Sequence, residues 1–191
     1  MHSILRGVLA GTALALCTSF ASAAVLSFDD IAGPDGYETV PTNYGGVDWS
    51  SAGWSVLTFD EPSYPARSGA GRVTTGFGSD DAASVIRFLA PTVFNGAWFS
   101  GFGDVSVRFD LFAGGLLVAS SETLMLSGTP TYLDAGWGGA IDAITVSSNG
   151  HALFGMDDFS FEDVSEVPEP ATLALVLAGL GMAGIARRRR A

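Results

Sequence analysis

The side chains able to do chemistry in this 191-residue chain are mostly carboxylates. They recur as adjacent pairs at Asp29-Asp30, Asp60-Glu61, Asp80-Asp81 and Asp157-Asp158. Calcium takes about six to eight oxygen ligands, so one site needs carboxylates and carbonyls converging from several segments. Neighbouring residues on a strand point to opposite faces, so no pair acts as a unit there. One member of each can meet others if the first and last strands are neighbours. Asp29, Asp30, Asp157 and Asp158 are therefore the candidate calcium group; solvated strand ends and turn-capping aspartates account for the same residues without a metal. No EF-hand spacing is present.

A second chemistry is glycan recognition, in which apolar sugar faces stack on Trp or Tyr while amides and carboxylates bond the hydroxyls. Tyr44, Trp49 and Trp54 stand with Tyr37 in one loop-rich third, and Trp137 lies in Ala135-Gly136-Trp137-Gly138-Gly139. Tyr44, Trp49, Trp54 and Trp137 form the candidate glycan platform, with core packing the default role for each. Trp137 is the one whose neighbours cannot bury it locally. Catalysis has less to stand on. His151 is the only histidine beyond the leader and reads as a surface residue after Asn149-Gly150. No Gly-x-Ser-x-Gly elbow exists, and no catalytic residue is assigned. A glycosidase needs two carboxylates about 5–9.5 Å apart, and nothing singles out such a pair.

The elements that must hold these groups read as short strands. Val105–Phe112 alternates most cleanly, with Val105, Val107, Phe109 and Leu111 facing a core and Ser106, Arg108 and Asp110 facing water. Gly114-Gly115 turns it into Leu116–Ala119. Ser84–Leu89 and Val93–Phe99 read as two strands separated by Pro91, the second with a turn at Asn95-Gly96. Asn149-Gly150 predicts a hairpin between Ile141–Ser147 and Ala152–Phe161. Val25–Asp30, Trp54–Phe59, Arg72–Phe77, Glu122–Leu126 and Thr131–Leu133 complete the set. No sustained helical periodicity appears in residues 24–166, so the expectation is an all-β, antiparallel β-sandwich, of jelly-roll type.

Both ends of the chain are address labels. His2 and Arg6, the apolar Val8–Leu16 and the small residues Ala21-Ser22-Ala23 form a signal peptide over residues 1–23, cleaved after Ala23. Cys17 is the only cysteine and leaves with it, so disulfides, thiolate metal sites and a cysteine nucleophile are excluded from the exported part. All twenty acidic residues follow the leader, there is no lysine, and only Arg67, Arg72, Arg87 and Arg108 are cationic between the targeting segments. Such a surface repels nucleic acid and anionic headgroups; it suits neutral or cationic partners or divalent cations, and it also serves simple solubility. In residues 167–191, Val167 precedes Pro168, Glu169 and Pro170, whose prolines end any preceding fold. Residues 171–186 carry no charge and predict a membrane helix of roughly 24 Å, held on the cytoplasmic side by Arg187, Arg188, Arg189 and Arg190.

That tripartite tail, Val167–Ala191, resembles the PEP-CTERM sorting signal. The resemblance implies export across the inner membrane of a Gram-negative bacterium that makes exopolysaccharide. It also implies transient anchoring, then processing by an exosortase, a membrane protease-transpeptidase reading Pro168, Glu169 and Pro170. Phe28-Asp29-Asp30, Tyr44–Trp49 and Met156–Phe161 resemble exported sandwich domains found ahead of such tails, which are similar to carbohydrate-binding jelly rolls. The function implied is a cell-surface or matrix protein whose domain is structural or glycan-binding and not catalytic. A glycan-active hydrolase or lyase and a protein-binding adhesin are the alternatives.

Overall fold

A computed structural model describes residues 23–51, 53–75 and 83–164. Ala21, Asp80-Asp81, the leader's h-region and the whole sorting tail, Val167 to Arg190 included, lie outside the described residues. The strands run in order β1 (Ala23–Leu26), β2 (Tyr37–Thr39), β3 (Asn43–Tyr44), β4 (Val47–Asp48), β5 (Ser55–Leu57), β6 (Arg72–Thr74), β7 (Ala83–Gly101), β8 (Ser106–Ala113), β9 (Leu116–Ser120), β10 (Leu124–Met125), β11 (Thr131–Asp134), β12 (Ile141–Ser148) and β13 (Phe154–Asp163). All pairings are antiparallel, and no helix occurs among the described residues.

β7 joins two sheets. Its first half pairs with β12 and β4, and β12 continues through β8 to β9 and β10. Its second half pairs with β11 on one edge and β13 on the other, and β13 continues to β1 and to β6–β5–β2. Pro91 falls where the partners change. It lacks the N–H that a ladder needs, yet its carbonyl accepts from Val164 N, and the strand passes through without a turn. The two strands expected on either side of Pro91 are therefore one.

The sheets face each other across an aromatic interior. Phe94 on β7 meets Phe109 on β8 edge-on at 4.8 Å, and Phe88 from the first sheet lies 6.0 Å and 5.5 Å from Phe159 and Phe161 of the second. Val107, Phe109 and Leu111 are buried, and the intervening Ser106, Arg108 and Asp110 are turned away, as the period-two pattern predicts. This is a β-sandwich, and its facing rings supply specific edge-on contacts as well as area.

Two Asn-Gly signals resolve differently from expectation. Asn149-Gly150 does not close a hairpin. Both edges of β12 are already taken by β7 and β8, so β13 crosses to the other sheet. The Asn149 side chain accepts from Ser106 N at 2.7 Å and donates to Asp104 O at 3.2 Å, tying the crossover to the start of β8. Asn95-Gly96 is no turn either. The β7–β13 register shifts between Asp157 and Ser160 and again between Ser160 and Phe161, so Asp158 (φ 44) and Asn95 are the extra residues of two bulges. Gly114-Gly115, with φ 58 and 76, does form the β8–β9 turn.

Candidate functional site

The aromatics expected to bind sugar need correction first. Trp49 and Trp54 are 2% and 0% exposed. They pack edge-on at 5.6 Å, and Trp49 also meets Phe28 and Phe159 at 5.4 and 5.5 Å. Their indole N–H groups are spent on Tyr44 O and Val85 O. They fill the interior because the loop between β4 and β5 lies over the end of the core. Tyr44 is half-buried and donates its hydroxyl to Asp30; burial first, then that bond, raises its pKa. Of the four residues, only Trp137 presents a ring to solvent, at 41% exposure. It leans on Gly139, where a Cβ would stand 2.7 Å from its Nε1.

The aromatic surface of the second sheet lies elsewhere. The bulges set the parity so that Phe94, Ala97 and Phe99 point inward and Trp98 points outward. The β11 register places Tyr132 opposite Trp98, with ring centroids 5.6 Å apart. Tyr132 is 37% exposed and Trp98 half-buried. Polar groups surround the pair. Ser160 Oγ lies 3.4 Å from the Tyr132 hydroxyl and donates to Gly96 O, while Asn95 Nδ2 donates to Glu162 Oε1 at 3.3 Å. Beyond Asn95, a groove of about 450 Å³ is lined by Val93, Asn95, Asp134 and Trp137 among others. The face thus offers what a sugar chain uses: exposed rings, two carboxylates, an amide and hydroxyls. Gly96 (φ 141) makes room for it. A Cβ there would stand 2.2 Å from Leu133 O and 2.8 Å from the Tyr132 hydroxyl oxygen. Gly96→Ala is expected to lower the melting temperature by several degrees and to displace Tyr132, read as a changed Tyr132 ring environment by NMR.

β1 and β13 are neighbours, as the calcium reading of the four aspartates requires. The oxygens of three of the aspartates, however, hold a loop. Asp29 Oδ1 accepts from Ala70 N and Gly71 N, each at 2.8 Å. Asp157 Oδ2 accepts from Arg67 N at 2.7 Å and Ser68 N at 2.9 Å. Asp158 Oδ1 accepts from the Ser68 hydroxyl at 2.8 Å, a reach that the bulge permits to an adjacent residue. Asp30 accepts from Tyr44. Among the described residues, no group of three or more His, Cys, Asp or Glu side chains is placed to hold a metal ion. Ser100 Oγ adds a bond to Pro65 O, so the segment 65–71 is clamped along its length. The clamp delivers Arg67, whose guanidinium carbon sits 4.4 Å above the Trp98 ring centre.

Asp157 carries a titration. Burial pushes its carboxyl up to about 6 against the N–H groups of Ser68, Asp158 and Arg67, which pull it down. Between the ordinary 3.8 and about 6 the folded state holds this proton more tightly than the unfolded chain. The group's contribution to stability is therefore full below the lower value and lost as pH rises through the upper one. The melting temperature of the native protein relative to Asp157→Asn is expected to fall across that window and stay level above it. Parallel curves would place the carboxyl at an ordinary pKa.

Trp98 and Tyr132 were not legible as a pair from sequence. The signal was the alternation of Ala97, Trp98 and Phe99, hidden by the Asn-Gly dipeptide before it. His151 is exposed, with φ 51, after the crossover.

The described part is an all-β sandwich with one aromatic, polar-rimmed outer face. Beyond it, residues 166–190 match the PEP-CTERM protein-sorting motif, and with it the chain carries the mark of export and sorting to the cell envelope. No curated protein matches the chain. Solved structures with some likeness include a carbohydrate-binding module of family 29, at 12% identity and TM-score 0.44, covering 81% of this chain and 99% of that one. A mutant of such a module complexed with mannohexaose shows 12% identity and TM-score 0.43, covering 75% of this chain and 93% of that one.

Proposed function

We propose that this protein is an exported cell-surface or matrix component, released from its C-terminal anchor by an exosortase. On this reading its sandwich, residues 24–166 and of jelly-roll type, binds exopolysaccharide without turning it over. The observation that carries the glycan reading is the cross-strand pair Trp98 and Tyr132, held outward by two bulges and rimmed by Ser160, Asn95, Glu162 and Asp134. Aromatic rings already presented on a sheet surface cost no pocket formation and suit a long ligand that lies across strands. Asp29, Asp157 and Asp158 serve the site by fixing the loop above it.

Retention on the host's own exopolysaccharide tests the binding. Trp98→Ala and Tyr132→Ala are each expected to weaken it about tenfold or more, the loss of one stacked ring, with no release of reducing ends by any form of the protein. Undiminished retention by both variants would remove the glycan reading of this face. The sorting reading is tested by the C-terminus of protein recovered from the cell surface. Arg187, Arg188, Arg189 and Arg190 are expected to be missing from it.

A further inference from the structure

We infer that the Arg67–Trp98–Tyr132 end of this face recognises the carboxylate of an acidic sugar, a uronate, with uncharged sugars lying towards Asn95 and Trp137. This rests on the glycan reading above and names the ligand class.

Cations are scarce enough here for each to be accounted for. Arg72 is buried and bonds the carbonyls of Leu57, Phe59 and Ala70. Arg108 pairs with Asp110 at 3.0 Å on the other sheet, and Arg87 donates to Ser51 beside β4. Arg67 is exposed, and among the described residues its side chain has no hydrogen-bond or ion-pair partner. Yet it is the best placed of the four. Both its own amide and that of Ser68 are held by Asp157, and a third bond ties the Ser68 hydroxyl to Asp158. The chain is acidic, yet among the described residues no carboxylate pairs with the Arg67 guanidinium.

The stacked position also suits the task. A guanidinium lying over an aromatic face spends its π surface on the ring and keeps its N–H edges for a planar, bidentate acceptor beside it. A pyranose stacked on Tyr132, beside the Trp98 ring that Arg67 covers, would bring a ring carboxylate to that edge. Three residues along β7, roughly 10 Å at strand rise, the character reverses. Asn95, Glu162 and Asp134 there offer acceptors for sugar hydroxyls and repel a second charge. The face therefore reads an acidic sugar at one end and a neutral one at the other. The net charge of -11 opposes polyanions at longer range, so the contact is best measured near 0.15 M salt, where the Debye length is about 8 Å.

The test is calorimetric titration of the full chain in detergent with galacturonate and mannuronate oligomers, and with the same oligomers after reduction of their carboxyl groups. The native protein is expected to prefer at least one uronate oligomer over its reduced form by tenfold or more. Arg67→Gln should erase the preference without moving the melting temperature, Arg67→Lys should keep part of it, and Arg108→Gln should leave it intact. Equal affinity for acidic and reduced oligomers, or a preference that survives Arg67→Gln, overturns the inference. If the reduced oligomers still bind and Trp98→Ala abolishes that binding, the uronate inference falls while the glycan reading stands. If the chain binds neither these oligomers nor the host's exopolysaccharide, both fall.

Discussion

Trp49→Ala is expected to cost the sandwich about 3–5 kcal/mol, a large share of the roughly 5–15 kcal/mol that holds an ordinary domain folded. The size of the effect follows from position. Trp49 touches Phe28, Trp54 and Phe159 within 5.4 to 5.6 Å, so it bridges the segment after β1, the start of β5 and the middle of β13. Truncation removes the indole's transfer free energy and leaves a hole that stiff, β-bound neighbours cannot close. It also strands the Tyr44 carbonyl, which accepts the indole N–H at 3.0 Å. Trp49→Phe keeps much of the volume and should cost less than half as much. Chemical denaturation of the two variants side by side gives the comparison. A loss of under about 1 kcal/mol for the alanine variant would contradict a core role.

Arg72→Ala is expected to be of similar size for a different reason. The guanidinium is 2% exposed, donates to Phe59 O at 2.8 Å, Leu57 O at 3.2 Å and Ala70 O at 3.3 Å, and lies 5.3 and 5.5 Å from the Phe59 and Tyr64 ring centres. Burial lowers its pKa, and Tyr64, Glu61, Asp60 and Asp157 oppose that at longer range. Among the described residues no carboxylate comes within ion-pair distance, so carbonyl dipoles hold the charge. Removing the side chain leaves three carbonyls short of a donor as well as a cavity, for a loss of about 3–5 kcal/mol. Arg72→Lys restores one charge but cannot span three acceptors and should recover only part. Thermal and urea melts of both variants decide it; a near-neutral Arg72→Ala would mean that water replaces the guanidinium without cost. Since Ala70 belongs to the clamped segment, hydrogen exchange at Arg67 N and Ser68 N should quicken in the same variant.

These two residues mark how far the sequence could be read. Alternation in β8 and the Gly114-Gly115 turn were plain, because each depends on neighbours within a few positions. The tail was plain for the same reason. Trp49 and Trp54 were not, since exposure of a loop aromatic is decided by which distant strand lies beneath it. The Asn149-Gly150 dipeptide favours a tight turn, but the strands flanking it had better partners elsewhere, and tertiary pairing won. Asn95-Gly96 hid a bulge, and with it the parity that turns Trp98 outward. The aspartates read as calcium ligands; in the fold Asp29, Asp157 and Asp158 reach across segments to residues 67–71. That they hold backbone amides depends on the path of the 65–71 loop, which no local pattern specifies.

The way the C-terminal strand leaves the fold bears on the anchoring proposed above. β13 lies between β7 on one side and β1 and β6 on the other, and the chain passes on toward the tail from Val164, still bonded to Pro91. A pull through that exit runs along the strand axis, so the ladders on both flanks are loaded in shear and must give way together. They cannot be unzipped one bond at a time. Because β7 also belongs to the opposite sheet, the load spreads to both layers. An anchor beyond Val164, as proposed above, would therefore pull on the sandwich in its stiffest direction.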